Sequence, residues 1–414
     1  MTIEKKYGIG VIFVTTLLVS ILLLPVASAT TENNQLDIIN NINFDKKQLS
    51  DFNEELDSFE TVTTNPAAFL NDVSDGQVTL ELLGQKFDLL NLQEMHIVSD
   101  DAKIIAEDGS ISNAPKSYSY KGTVADKTNS SVVLTAGDNV LIGEIKVDNK
   151  SYIIDQTNKT YNNKVVHVVY SSEAIKKRNI LTYCTDIVTG DQKALSTGSL
   201  NQTQIEALLL STPTVDVMAC YDSEFQSKFS NPTNEISNMM STVASAFSVG
   251  NCNLNIKAYR KYTISNGDSQ TVLNRFTSAA AAGRDSTNSD LAFLFTGKEL
   301  TDSNIGIANG YTGSSNQAYG LAQMVSAGAS TSYHATSNER RAVTTHELGH
   351  MFGATHGEAY DWYVVAVHYY TSMLSPFKGS TMQSEFSNLN NHGNSTRNNI
   401  LHIVANKGTI SGFQ

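Results

Sequence analysis

In the second half of the chain, short apolar runs alternate with longer segments whose apolar residues recur at helical spacing. The apolar runs at 215–220, 254–259 and 291–295 have the length of buried strands. The segments between them, 234–247 and 271–282, have the spacing of amphipathic helices. Because strands alternate with helices, this pattern predicts an α/β domain built on a mixed, mostly parallel twisted sheet.

The first half of the chain has the pattern of antiparallel strands. Between 118 and 154, short alternating or apolar runs are separated by Gly, Asp and Asn, which predicts a meander of β-hairpins. We expect a β-rich domain there, with its strands at about 118–170. Upstream, 45–59 favours an amphipathic helix and 78–83 favours a strand. A polar stretch at 190–213 is typical of a linker between two domains.

The N-terminus has the pattern of an export signal. Two lysines precede an apolar run at 9–26, and small residues at 27–29 follow it. We expect cleavage after Ala29 and a secreted, extracellular protein with no stable membrane insertion after cleavage. An uncleaved anchor at the cell surface is the alternative, because the apolar run is just long enough to span a bilayer.

Length and charge narrow the class of protein. A chain of 414 residues, of which 40% are hydrophobic and 17% charged, predicts two folded units with real cores. The formal net charge is -12, and the sequence contains no basic stripe that would neutralise phosphates. We therefore expect no nucleic-acid partner.

Residues 344–356 contain the pattern HExxH extended by xxGxxH. Residues four apart lie on one face of a helix, so His346 and His350 are placed to bind one ion. Glu347, one step round the helix, faces the same cleft. At this length and spacing, the pattern is far more specific than HExxH alone.

The same region carries signals for the ends of a helix. Thr336 followed by Glu339 predicts a capping box at the helix start. Gly353 predicts the end, because glycine readily adopts the positive φ that turns the chain back. That return brings His356 towards the other two histidines.

Three neutral histidines leave the fourth position of a tetrahedral zinc ion open for water, as catalytic sites require. We therefore predict one catalytic Zn²⁺ held by His346, His350 and His356. The ion lowers the pKa of its water and polarises the scissile carbonyl, while Glu347 takes the proton as general base. The predicted activity is hydrolysis of peptide bonds in a protein or peptide substrate.

These residues resemble the metzincin clan of zinc endopeptidases, and within it the reprolysin or adamalysin branch. The resemblance implies a methionine in a tight turn beneath the metal. Met373, within 371–376, is the candidate for this Met-turn, and 385–387 is similar to a Phe-Ser pattern of the branch. Met382 is the second candidate, and filling of the core is the alternative role for either methionine.

The resemblance extends upstream of the histidines. Residues 290–297 and 305–308 are similar to the branch's third strand and its antiparallel edge strand. This implies that the backbone of Gly306, Ile307 and Ala308 binds an extended substrate as an added strand. A plain surface strand is the alternative.

Runs between 118 and 158 are similar to the propeptide of reprolysin-like precursors. The resemblance implies a latent precursor with a signal peptide at 1–29, a propeptide at 30–205 and a catalytic domain at 206–414. Cys184 lies where related precursors often carry an inhibitory cysteine, whose thiolate would replace the attacking water. A chance unpaired cysteine or a different disulfide is the alternative.

The sequence also departs from the branch. Gly357 follows His356, where adamalysins usually have Asp, so the clan is better defined than the branch. The chain has three cysteines, too few for the disulfides of the branch. Cys220 and Cys252 are the candidates for one disulfide, which would leave Cys184 as a free thiol.

Two other classes of function remain open. One is a catalytically weak surface or adhesion protein with the metzincin fold, although the intact Glu347 argues against it. The other is a metallohydrolase that acts on a different bond, although the extended motif favours peptides. His334, His368 and His392 are candidates for extra ligands or substrate contacts, with an ordinary structural histidine as the alternative for each.

Overall fold

The computed structural model describes residues 37–176, 183–184, 200–328, 333–364 and 367–414. The predicted signal peptide at 1–29 lies outside these residues. Contacts between Cα atoms group Leu36–Gln414 into one compact unit. In the described ranges, no helix is both long enough and apolar enough to cross a membrane.

The described part of the chain contains eight α-helices and twenty strands. The helices are α1 (Ser50–Glu55), α2 (Pro66–Asp72), α3 (Gln202–Leu209), α4 (Ser223–Lys228), α5 (Pro232–Ser248), α6 (Ser269–Ser286), α7 (Ser337–Met351) and α8 (Ile400–Ile410). The strands of the first half are β1 (Ile39–Asn41), β2 (Glu60–Thr64), β3 (Val78–Leu82), β4 (Gln85–Met95), β5 (Val98–Ile105), β6 (Ile111–Asn113), β7 (Tyr118–Val124), β8 (Ser130–Ala136), β9 (Leu141–Val147), β10 (Lys150–Tyr161), β11 (Lys164–Ser171) and β12 (Tyr183–Cys184). Those of the second half are β13 (Thr214–Tyr221), β14 (Asn253–Lys261), β15 (Leu291–Thr296), β16 (Asn304–Ala308), β17 (Tyr319–Gln323), β18 (Asp361–Val364), β19 (Val367–Thr371) and β20 (Met382–Gln383).

Most strands of the first half form a nine-stranded sheet, in the order β1-β2-β11-β10-β9-β8-β7-β4-β3. All of its pairings are antiparallel, and β7 to β10 follow one another as hairpins. The predicted meander is therefore confirmed, as is the strand at 78–83. We call this sheet the N-terminal sheet. Its apolar core includes Phe69, Phe87 and Leu134.

The helix predicted at 45–59 is wrong in its extent. Only Ser50–Glu55 is α-helical, after a short 3-10 turn at Lys46–Gln48. The helix stops because Leu56 leaves the helical region for extended backbone and forms a β-bridge with Ile175. Tertiary pairing has overridden the local helical pattern here.

Five strands of the second half, joined by β5, β6 and β12 of the first half, form an eight-stranded mixed sheet in the order β12-β16-β17-β15-β13-β14-β5-β6. Five of its strand pairs are parallel, whereas β16 with β17 and β5 with β6 are antiparallel. The predicted mixed, mostly parallel sheet is confirmed. Two additions were not foreseen: the β5-β6 hairpin lies at one edge, and β12 lies at the other.

Side chains of β13 alternate between two cores on opposite faces of this sheet. Val217 and Ala219 face a core that includes residues of α5, α7 and α8. Met218 and Cys220 face a second core that includes Phe276 of α6. Full burial of a side chain such as Val, Met or Phe stabilises the folded state by about 1.5–3 kcal/mol, whereas an exposed ion pair contributes about 0–1 kcal/mol. The two cores therefore hold the layers together.

Two buried arginines of α7 connect the two sheets. Arg340 donates to Asp155 of β10 at 2.9 and 3.1 Å, and to Glu235 of α5 at 2.8 and 3.2 Å. Arg341 donates to Glu144 of β9 at 2.9 Å. Removing one partner of a buried pair costs about 3–5 kcal/mol, because the other charge is left unpaired away from water. These pairs therefore fix α7 against the N-terminal sheet.

Candidate metal centre

The ends of α7 follow from the residues that flank it. The side chain of Thr336 accepts from the amide of Glu339, and the Glu339 carboxylate accepts from the Thr336 amide at 3.0 Å. This is the predicted capping box, and it is confirmed. After Met351 the chain reverses at Gly353, which has a φ of +88°. A residue with a Cβ would be strained there, so glycine fits the turn.

The turn brings three histidine side chains together. The Nε2 atom of His346 lies 3.0 Å from those of both His350 and His356. The Nε2 atoms of His350 and His356 are 3.2 Å apart. Among the described residues, these three form the group of His, Cys, Asp and Glu side chains arranged to hold a metal ion.

The hydrogen bonds of the Nδ1 atoms determine whether the Nε2 atoms carry a proton or a lone pair. Nδ1 of His346 lies 2.5 Å from the carbonyl oxygen of Ser372, and Nδ1 of His350 lies 3.0 Å from that of Ala354. A carbonyl only accepts, so each Nδ1 carries the proton and each Nε2 presents a lone pair. The three Nε2 atoms, 3.0–3.2 Å apart, fit a cation bound at about 2.0–2.1 Å from each nitrogen.

The environment also keeps His346 in the form that binds metal. Burial, followed by the neighbouring His350 and His356, holds the pKa of His346 well below its usual range. Its ring is therefore neutral at physiological pH, and neutral imidazole is the metal-binding form.

Glu347 lies on the same helix, beneath β16. Its side chain is fully buried. A Cβ atom at Gly306 of β16 would overlap the Glu347 carboxylate. Gly306 is therefore the residue that lets the edge of the sheet approach this carboxylate. The sequence predicted only a backbone role for Gly306, because this contact joins residues from separate elements.

Both methionine candidates lie in the core that contains α7, and Met373 contacts this helix beside the histidines. A Cβ atom at Gly349, between two of the histidines, would lie 2.6 Å from the Met373 sulfur. Met373 is fully buried, and the preceding Ser372 supplies the carbonyl that orients His346. Met382 lies in β20.

The predicted edge strand is present as β16, which pairs antiparallel with β17. On its other side lies β12, which pairs parallel with β16 and places Cys184 opposite Gly306. A segment from the first half of the chain thus covers the edge that the sequence assigned to substrate. Ile307 and Ala308 of β16 are buried.

The disulfide considered between Cys220 and Cys252 is not formed. Both are free, buried thiols. Cys220 lies in the core that contains α6, and Cys252 lies in the core on the opposite face of the sheet. Sequence separation gave no sign of this, because strand alternation decides which face each thiol joins.

The other three candidate histidines are held elsewhere by carboxylates. His334 contacts Asp51 at 3.3 Å, His368 contacts Asp361 at 2.7 Å, and His392 contacts Glu385 at 2.5 Å. None of the three belongs to the group of metal-binding side chains found in the described ranges.

One set of residues around the third histidine was not predicted from the sequence. Asn399, His402 and Asn406 are buried and contact the chain between Phe352 and Glu358. Their spacing places them on one face of the C-terminal helix. The sequence signal that could have identified them is their polar character at helical spacing in an otherwise apolar segment.

Residues 211–401 match Reprolysin_5, described as Metallo-peptidase family M12. This part of the chain is a reprolysin-like metzincin domain, which confirms the resemblance predicted from the sequence. Metallopeptidases act on proteins or peptides. A search of the curated proteins found no match.

Several solved structures are similar to this chain. One is described as the crystal structure of metalloproteinase-II from Bacteroides fragilis, with 10% identity, a TM-score of 0.47, and coverage of 82% of this chain and 91% of that one. Another is described as the structure of a chaperone-substrate complex, with 15% identity and a TM-score of 0.36. That match covers 49% of this chain and 36% of the other.

Proposed function

We propose that this protein is a secreted zinc-dependent endopeptidase made as a latent precursor. The observation that carries the proposal is the convergence of the three Nε2 atoms of His346, His350 and His356, with Glu347 on the same helix as the first two. This constellation lies within the part of the chain that matches a metallopeptidase family.

Zinc bound by the three histidines would supply an acidic water and polarise the scissile carbonyl. Glu347 is the general base: it takes the proton from the attacking water and delivers it to the leaving amine. Its burial beneath β16 excludes bulk water from the carboxylate, which strengthens its interaction with the reacting groups. Met373 supports the histidine helix from below by its contact at Gly349.

The substrate would bind as an added strand along Gly306, Ile307 and Ala308 of β16. Support comes from the contact between Gly306 and the Glu347 carboxylate. A peptide backbone laid along this strand passes next to the proposed base. Hydrogen bonds to the strand backbone are independent of side chains, so they suit varied protein substrates.

The position of β12 supports latency. Because β12 pairs parallel with β16, it occupies the place where a substrate strand would pair. Cys184 stands opposite Gly306, so we propose its thiolate as the group that takes the open zinc position. Cys220 and Cys252 are both buried free thiols.

Residues 1–29 would direct export and be removed, and 30–205 would act as the propeptide of the catalytic domain at 206–414. The apolar run and the small residues that follow it support the export signal. The coverage of the β16 edge by β12 supports an inhibitory role for the propeptide.

The alternative is a catalytically weak surface or adhesion protein with the same fold. Zinc analysis combined with cleavage of a denatured protein separates the two. We expect one zinc per chain and cleavage by the secreted, processed form that stops when a chelator removes the metal. His356→Ala should lose the zinc, because it removes a direct ligand.

A chain that holds zinc and cleaves nothing would favour the adhesion protein. A chain without zinc, or a His356→Ala variant that keeps one tightly bound zinc, would contradict the metal centre itself.

A further inference from the structure

The third histidine is presented by a short segment with little structure of its own. We call residues 352–358 the return loop. His356 begins a single 3-10 turn, His356–Glu358, after the reversal at Gly353. One such turn is not stable in isolation, because nucleation of a helix costs more than one hydrogen bond returns. Other parts of the protein therefore have to hold His356 in place.

Helix α8 supplies those contacts from one face. Asn399, His402 and Asn406 are spaced so that their side chains lie in one row. The Asn406 amide donates to the carbonyl of Phe352 at 2.8 Å, at the start of the return loop. Nε2 of His402 lies 2.8 Å from the carboxylate of Glu358, at its end. The row thus spans the whole loop.

Asn399 makes the contact nearest to the histidine. Its side-chain oxygen accepts from the amide of Thr355 at 2.7 Å, and its side-chain nitrogen donates to the carbonyl of the same residue at 3.1 Å. Thr355 directly precedes His356. Both backbone groups of Thr355 are therefore fixed by one fully buried side chain.

The position of Asn399 at the start of α8 would ordinarily give its side chain a different hydrogen bond. Asn399 is the N-cap residue of α8, where an Asn side chain ordinarily accepts from an amide of the first helical turn. In this protein its side chain makes no cap bond to α8. The side chain is committed to Thr355 instead.

We propose that Asn399 is a positioning residue for the metal centre, which preorganises His356 through the backbone of Thr355. The inference rests on the proposed function, because it takes His356 as a zinc ligand. A loop that is ordered before metal arrives loses less conformational entropy on binding, so the metal is held more tightly. Because its side-chain hydrogen bonds go to the Thr355 backbone, Asn399 acts on the metal centre through the return loop.

The test is zinc affinity of the full-length protein, measured by competition with a chromogenic chelator. Asn399→Ala should weaken zinc binding by about 10-fold or more, the loss typical when a supporting contact of a ligand is removed. Asn399→Asp keeps the acceptor for the Thr355 amide and loses the donor to the Thr355 carbonyl. Its zinc affinity should therefore lie between those of the wild type and Asn399→Ala.

Asn398→Ala is the matched control. Asn398 is the adjacent, similarly buried asparagine, and its side-chain oxygen has no hydrogen-bond partner. Its contact with the Glu358 carboxylate is made by the backbone amide, which alanine retains. We expect Asn398→Ala to bind zinc like the wild type.

Thermal melting of the metal-free proteins separates positioning from a general structural role. A structural role would lower the metal-free melting temperature and leave the zinc affinity of the folded protein unchanged, which would overturn the inference. Failure of both Asn399 variants to fold, while Asn398→Ala folds, would overturn it as well. If the wild type itself binds no zinc, the proposed function fails instead.

Discussion

At the scale of single residues, hydrogen bonds to backbone carbonyls decide the chemistry of the histidines. Ser372 and Ala354 each accept from an Nδ1 atom and thereby direct an Nε2 lone pair towards the common centre. The three candidate ligands could be predicted from the sequence because their spacing is fixed by a helix and a glycine turn. It did not predict Ser372 or Asn399 as partners, because both are brought in by tertiary structure.

One buried histidine of the N-terminal sheet makes the stability of the protein depend on pH. Burial lowers the pKa of His167 to about 4, against the smaller opposing effects of the Val165 carbonyl and Asp155. An unfolded histidine titrates near about 6.5, so between these values the unfolded state binds more protons. His167 therefore contributes no pH dependence above about 6.5 and progressively destabilises the fold as pH falls towards 4.

Replacing His167 with Gln should remove this dependence, because an amide of comparable polarity does not titrate. The wild type should lose about 2 kcal/mol more free energy of unfolding than His167→Gln between pH 7 and pH 5. Denaturant unfolding at the two pH values measures the difference. Equal losses in the two proteins would show that His167 does not titrate in this way.

At the scale of elements, most of the reprolysin-like domain follows from local pattern. The strands β13, β14 and β15 and the helices α5 and α6 lie where apolar spacing predicted them, within a few residues at each end. The edges of the sheet were not predicted. The β5-β6 hairpin and β12 come from the first half of the chain, and pairing between such distant segments leaves no periodic signal.

The pairing of β12 with β16 makes the proposed latency testable at one residue. Replacing Cys184 with Ser removes the thiolate that would hold β12 at the metal, so this two-residue strand can leave β16 and admit a substrate. We expect the unprocessed variant to cleave a denatured protein, while the unprocessed wild type is silent. Cys184→Ala should behave in the same way, because both changes remove the sulfur.

If both Cys184 variants are as latent as the wild type, the thiolate is not the inhibitory group. Latency would then come from the backbone of β12 covering the substrate strand. Electrophoresis under denaturing conditions has to confirm that the assayed chains are uncut.

At the scale of the whole molecule, buried ion pairs join the N-terminal sheet to the histidine helix. Arg340 is bound by Asp155 from one sheet and by Glu235 from the other half of the chain. The sequence shows two adjacent arginines but not their burial, because their partners lie far away in the chain. Removal of the N-terminal sheet would leave Arg340 paired with Glu235, whereas Arg341 would keep Asn238 and lose Glu144, its carboxylate partner on β9.

The central claim is that Glu347 is the general base of a zinc-dependent peptidase. The most direct measurement is the rate at which zinc-loaded Glu347→Gln, in its processed form, cleaves a denatured protein. Glutamine keeps the size of the side chain and all three histidine ligands, so folding and zinc content should be unchanged. Glu224→Gln, at an exposed position of α4, is the matched control.

We predict that Glu347→Gln cleaves at least about a hundredfold more slowly than the wild type at equal zinc content, while Glu224→Gln cleaves normally. Near-native turnover by zinc-loaded Glu347→Gln would contradict the assignment of the base and the mechanism built on it.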